Sequence, residues 1–334
     1  MELKGKKVMV VGTGISGIGA IDLLNKAGAD CIIYDANEKL TEEAVAKKLN
    51  GNKAQIIIGE LADDITEKVE LLVISPGVPV DSPLVKKFEE AGVPVWGEIE
   101  LAYNYDKGRI IAITGTNGKT TTTALVGQIV KAYNEQTYVV GNIGNSYTGE
   151  VLKTSENSYT VAEISSFQLE TVHRFHPVVS AILNITPDHL NRHHTMECYA
   201  HTKERIAENQ TKDDVCVLNM EDEELYRFGR ECKASVVWFS SKRKPDKGAY
   251  LDGDDIRYTD GTQDKLMLNI HDMNLLGTHN YENVCAAIAM TKAVGIPDDI
   301  IIEQVKCFKA VEHRIEYVAT KKGVWYYNDS KGCL

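Results

Sequence analysis

The sequence has no apolar run long enough to cross a bilayer, and no basic stretch followed by an apolar core at its start. No membrane association is therefore expected, and cytoplasm is the expected location. Basic charge is not in excess: 37 Lys and Arg face 48 Asp and Glu, a net charge of −11. A phosphate backbone needs a basic face, so nucleic acid is not expected as the main partner. None of the seven cysteines (31, 198, 216, 232, 285, 307 and 333) lies in a CxxC pair, which indicates neither a disulfide framework nor a zinc ribbon. Small buried apolar groups are their expected role. Internal repeats and low-complexity tracts are also missing. The rest, 43% hydrophobic and 25% charged over 334 residues, fits a globular chain with room for two domains and the start of a third.

Residues 109–123, RIIAITGTNGKTTTT, organise the chain. Arg109 to Ile113 is a short β-branched run that predicts a buried strand, and an apolar-periodic helix follows from Ala124. Between them Gly115, Thr116, Asn117, Gly118, Lys119, Thr120 and Thr121 predict an ATP site. The glycines let backbone N–H groups converge, the helix end adds partial positive charge, and Lys119 reaches the outer phosphates. The Thr120 hydroxyl is placed to hold a magnesium ion. The general pattern has a glycine where Ile113 stands, so a tight strand-to-helix turn with a surface lysine is the plainer alternative.

A second glycine turn lies in KKVMVVGTGISGIGAIDLLNK, with a strand at Lys7 to Val11 and a helix from about Ile18 to Lys26. The next strand, Cys31 to Tyr34, ends at Asp35. This is the spacing of a dinucleotide fingerprint, and it predicts a diphosphate-bearing ligand from Gly12 to Gly17, taking in Gly14, Ile15 and Ser16, with Asp35 nearby. The glycines do not choose among diphosphates, and a purely structural turn is the alternative. An NAD-dependent oxidoreductase is one reading, but it leaves the second phosphate loop unexplained. Ser75, Pro76 and Gly77 follow the strand Leu71–Ile74, at the edge where open α/β sheets bind ligands. Residues 1–97 thus read as a Rossmann-like parallel-sheet domain and 98–311 as a central P-loop-type α/β domain. Residues 241–265 read as peripheral loops and hairpins. The chain stops soon after Asn328-Asp329-Ser330-Lys331, so 312–334 read as the start of a C-terminal domain that is mostly absent.

Glu163, at the carboxyl end of the strand beginning at Tyr159, is expected as a carboxylate for magnesium. His189 directly follows an apolar strand and is expected to serve a second, phosphate-bound metal ion. A zinc site from His189, His193, His194, Glu197 and His201 is the alternative, but HExxH order and a cysteine partner at ligand spacing are lacking. His193, His194 and His201 are assigned to the surface or to a layer behind the site. The HNYEN run that includes Asn283 opens a helix near Tyr281, and suits either a nucleotide-facing turn or a polar cap.

The motifs VGTGISG, SPGVP, GEIEL, TGTNGKTT, GNIG, EISSFQLE, ILNITPDHLNRH, HNYEN, EHRIE and NDSK occur in this order. In that order the chain resembles the Mur ligase family, most closely the member that joins D-glutamate to UDP-N-acetylmuramoyl-L-alanine. The resemblance implies an ATP-dependent amide-forming ligase of peptidoglycan precursor synthesis, acting through an acyl phosphate as a cytoplasmic monomer. It implies two magnesium ions, with Thr120, Glu163 and His189 as ligands. It also implies a carbamylated lysine at Lys203, which on its own reads as a solvated helix lysine. Lys119, His189 and Lys203 are the implied catalytic residues. Asn283, Arg314 and Asp329 are implied at the nucleotide, and Asn142 and Lys331 at the substrate. By the same resemblance the N-terminal fingerprint holds uridine diphosphate in place of NAD. Two departures are Asn191, where the family has Asp, and Gly332-Cys333-Leu334 at the end, where a further domain follows. Nucleotide and substrate binding without turnover is the alternative they raise.

Overall fold

Short β-branched runs alternate with amphipathic helices through the first hundred residues, and the computed structural model turns them into a doubly wound sheet. It describes residues 1–142, 145–309, 316–321, 324–328 and 330. Arg314, Asp329 and Lys331 lie outside the described residues. Contacts divide the chain into two units, one of residues 1–108, 140–156 and 165–175, the other of 109–139, 157–164 and 176–334.

In the first unit β1 (Lys7–Val11), β2 (Asp30–Asp35), β3 (Gln55–Ile58), β4 (Leu71–Ile74) and β5 (Val95–Gly97) form a parallel sheet in the order β3-β2-β1-β4-β5. Between them run α1 (Ile15–Lys26), α2 (Glu42–Leu49), α3 (Asp63–Thr66) and α4 (Pro83–Glu90), with α5 (Glu98–Tyr103) after β5. Met9, Val11, Ile32, Leu72 and Ile74 meet Val85 and Phe88 of α4 in one core. Helix α1 starts at Ile15, ahead of the expected Ile18, because Gly14 takes the cap and Ile15–Gly17 form the first turn. The buried Glu100 accepts the backbone N–H groups of His173 (2.9 Å), Arg174 (3.0 Å) and Phe175 (3.1 Å), which ties the 165–175 segment to α5.

The second unit has a nine-stranded sheet in the order β14-β13-β12-β11-β10-β9-β6-β8-β7. Its strands are β6 (Arg109–Thr114), β7 (Thr137–Gly141), β8 (Tyr159–Glu163), β9 (Val179–Ile182), β10 (Val215–Asn219), β11 (Ser235–Ser240), β12 (Gly248–Asp252), β13 (Asp255–Thr259) and β14 (Asp264–Asn269). The run from β12 to β8 is parallel. Such strands are covered on both faces, which is why they read as continuous apolar runs. Between β6 and β7 lies α6 (Lys119–Tyr133), and the turns α7 (Tyr147–Glu150) and α8 (Ser166–Leu169) belong to the first unit. Then come α9 (Leu190–His193), α10 (Met196–Glu204), α11 (Glu223–Phe228), α12 (Thr278–Ala293) and α13 (Asp298–Cys307). Ile111, Ile113, Val179 and Val217 pack with Leu125 and Ile129 of α6 and with Val284 to Met290 of α12, a helix buried nearly all round. β15 (Glu316–Lys321) and β16 (Val324–Asn328) form a separate hairpin.

The polar tract at 241–265 does contain hairpins, but they extend the main sheet: β12 pairs in parallel with β11, and β13 and β14 follow antiparallel. Their polar faces concealed this, since an edge strand needs only one buried face. Helix α12 also begins earlier than expected, at Thr278.

Candidate functional site

Strand β6 lies between β8 and β9, so the loop that leaves it emerges at the middle of the sheet edge. Gly118 caps α6 at φ +82 with no side-chain cap, which leaves the first N–H groups of the helix for another acceptor. A side chain at Gly118 would be strained by that φ, and its Cβ would meet Asn283 Oδ1 at 2.2 Å. The loop is held on several sides. Thr116 donates its N–H to Asn184 O (2.9 Å), and its hydroxyl meets Tyr199 OH (3.1 Å) and the Thr186 N–H (3.0 Å). The Asn117 N–H donates to Asn184 Oδ1 (2.8 Å), and Asn184 Nδ2 donates back to Asn117 O (3.1 Å).

Two lysines converge on one carbonyl. Lys119 Nζ donates to Gly115 O (2.9 Å) and Thr116 O (2.8 Å), and Lys203 Nζ, from α10, donates to the same Gly115 O (2.8 Å). Lys203 is buried, its ammonium 4.5 Å from the Tyr199 ring centre. Burial, with the Lys119 cation beside it, pulls Lys203 down to about 7, while Asp188 pulls the other way. A lysine with a substantial neutral fraction near pH 7 can act as a nucleophile, and sequence pattern alone did not show this one.

Glu163 ends β8 in register with Ile113 of β6 and is buried. Thr114 Oγ1, at the end of β6, is buried without a hydrogen-bond partner. His189 caps α9 in the left-handed region (φ +52), half exposed, with Nε2 3.5 Å from Asp188 Oδ2. Among the described residues no three His, Cys, Asp or Glu side chains form a ready metal cage. That donor set suits magnesium held largely by nucleotide phosphates, because Mg²⁺ takes one or two carboxylates and keeps several waters. It does not suit zinc. His193 is buried against Tyr199 (ring centres 5.1 Å apart), behind the loop, whereas His194 and His201 are exposed.

In the first unit Gly17 approaches its own turn so closely that a Cβ there would lie 1.9 Å from Gly12 O. Helix α1 likewise has a glycine cap and no side-chain cap. Asp35 Oδ2 accepts the Thr13 N–H (3.1 Å) and hydroxyl (2.8 Å), so this carboxylate braces the turn. Ile15 is 86% exposed at the tip. A narrow cleft is lined by Ser75, Pro76, Glu98, Gln168 and Thr171. Burial drives the Glu98 carboxyl up, while the Ser16 hydroxyl and the Thr148 and Tyr147 backbones draw it partly back. Asn142 is exposed in this unit. Sequence reasoning missed Asn184, Tyr199 and Glu98; only the position of Asn184 just after an apolar strand signalled anything.

A strand–glycine turn–helix at the centre of one α/β unit, and another on the parallel sheet of the second, are the layout of a nucleotide-binding α/β protein. The family model "Mur ligase middle domain" matches residues 113–291, and "Mur ligase MurD-like, N-terminal domain" matches 6–97. The chain belongs to the Mur ligase family. It is 79% identical, over 99% of its length and 74% of the relative's, to a UDP-N-acetylmuramoylalanine--D-glutamate ligase of Lachnospira eligens. Among solved structures, UDP-N-acetylmuramate:L-alanyl-gamma-D-glutamyl-meso-diaminopimelate ligase from Neisseria meningitides matches with a TM-score of 0.62 at 18% identity, covering 92% of this chain and 99% of that one. MurF ligase from Thermotoga maritima, in complex with ADP, matches at 0.55 and 18%, covering 98% and 69%. These two show the fold. Nothing in the likenesses supports the oxidoreductase reading. Among the described residues no helix is long and apolar enough to cross a membrane.

Proposed function

We propose that this chain is an ATP-dependent ligase that joins D-glutamate to UDP-N-acetylmuramoyl-L-alanine through an acyl phosphate, as a cytoplasmic monomer. The observation that carries this is the 79% identity, along 99% of the chain, to a relative of that name. The cradle at Gly115–Thr121 supports the nucleotide half. Residues 1–97 take the uridine diphosphate moiety, with Gly14, Ile15, Ser16 and Asp35 at the diphosphate and uridine, and Ser75, Pro76 and Gly77 on the same sheet edge. Residues 98–311 take ATP. Residues 312–334 begin the part that meets D-glutamate. Asn142 and Lys331 are assigned to the substrate; Asn283, Arg314 and Asp329 to the nucleotide.

The substrate carboxylate attacks the γ-phosphorus of ATP, the β–γ bridging bond breaks, and ADP leaves. The amine of D-glutamate then attacks the acyl carbon and phosphate departs. The loop N–H groups and the end of α6 hold the phosphates, and Lys119 exchanges its two carbonyl partners for phosphate oxygens as charge builds. Thr120, Glu163 and His189 are the groups that would hold two Mg²⁺ ions, which neutralise phosphate charge when bound. The buried, weakly basic Lys203 amine suits addition to carbon dioxide: Nζ bonds to the carbon, loses a proton, and becomes a carbamate able to serve as a further metal ligand.

Calorimetric titration with UDP-N-acetylmuramoyl-L-alanine, with NADH as control, tests the reading, alongside ADP release in the presence of D-glutamate. Binding of the uridine ligand alone, with ADP release abolished in Lys119→Ala, is the expected result. Binding of NADH alone overturns it.

A further inference from the structure

Asn184 and Asn117 form a reciprocal pair at the head of the loop. We propose that Asn184 is a positioning residue that pre-forms the phosphate cradle, an inference that rests on the phosphate-loop reading of residues 115–121. One planar amide takes both polar groups of a single loop residue: Oδ1 accepts the Asn117 N–H at 2.8 Å and Nδ2 donates to Asn117 O at 3.1 Å. The amide orientation follows from the bonding, because a backbone N–H needs an oxygen opposite it and a backbone carbonyl needs a donor. The main chain of Asn184 adds a third tie, its carbonyl accepting the Thr116 N–H at 2.9 Å.

These ties set the path of the loop into α6: the Asn117 N–H turns to Asn184, and Gly118 then opens the helix with no side-chain cap. Asn117 is exposed, so without the Asn184 side chain its N–H and C=O turn to water. The loop would then be ordered at the moment of phosphate binding, and affinity would fall by that cost. Tyr199 and Thr186 hold the neighbouring Thr116. Aspartate cannot replace the amide while ionised: it has no donor for Asn117 O, and it adds negative charge beside an anion site. Protonated, it regains one donor and one acceptor.

The experiment uses the whole chain with ADP and Mg²⁺, and adenosine as a phosphate-free probe, followed by calorimetry and ligand-detected NMR. Asn184→Ala is expected to weaken ADP about tenfold or more, to leave adenosine unchanged, and to keep the melting temperature within a few degrees. Asn184→Asp is expected to be at least as weak as Asn184→Ala from about pH 7.5 down to about 5.5, because an ordinary carboxylate stays ionised there and offers no donor to Asn117 O. A purely structural role would lower the melting temperature and weaken adenosine as well. Unchanged ADP affinity in Asn184→Ala, or an equal loss for adenosine, overturns the proposal. If the unaltered chain binds no ADP, the phosphate-loop reading fails first, and this inference falls with it.

Discussion

Lys203 is a buried lysine whose surroundings bear directly on stability. Its amine is buried against Gly115 O with a second cation close by, and its pKa falls from 10.5 to about 7. The sign of the pH effect follows from that direction. In the unfolded chain the amine holds its proton up to about 10.5; in the folded chain it releases it near 7. Unfolding therefore takes up a proton across that window, and stability rises with pH through it. Below 7 both states are charged and the cost of burying the cation is fully present. Lys203→Met, in CO₂-free buffer, is expected to stabilise the chain by roughly 2–4 kcal/mol near pH 6, with the gain shrinking toward pH 10. Urea unfolding at a series of pH values measures it; a gain independent of pH would show that Lys203 titrates normally.

At the level of elements, two strand–turn–helix units share one device. β1 and β6 each run into a glycine turn, and α1 and α6 each begin without a side-chain cap. Their glycines are not interchangeable with alanine. At Gly17 the added Cβ would meet the backbone oxygen of Gly12 at 1.9 Å, and backbone cannot swing aside as a side chain can. Gly17→Ala is expected to cost about 2–3 kcal/mol and to weaken UDP binding at least tenfold. Thermal unfolding and titration with UDP check both. Retained UDP affinity would mean that the ligand does not use this turn. Much of this level was legible in sequence, because a glycine turn after an apolar strand is a local pattern. Helix α1 starts three residues before the sequence pattern predicts, because glycine signals loop, whereas here Gly14 is a cap and Ser16 and Gly17 are helix.

At the scale of the whole chain, each unit has its own apolar core and its own nucleotide-type turn. A ligand stabilises the unit that binds it, by about 2.7 kcal/mol at a hundredfold excess over Kd. Hydrogen exchange is expected to show ADP slowing the amides of β6, β9 and α6, and UDP slowing those of β1 and β2. ADP protecting β1 and β2 alone would assign ATP to the glycine turn of the first unit and reverse the proposed division.

Local pattern in the sequence determined the two glycine turns after β1 and β6, the parallel α/β class, and the positions of Lys119, Thr120, Glu163 and His189 at strand and helix ends. It could do so because glycine spacing and apolar periodicity act over a few residues. Only the tertiary structure decided the state of Lys203, since a lysine is made weakly basic by what surrounds it, here Gly115 O, Lys119 and the Tyr199 ring. It also decided that Asn184 clasps Asn117, and that Glu100 gathers the N–H groups of residues 173–175. Those contacts join residues about seventy positions apart, and no local pattern records them.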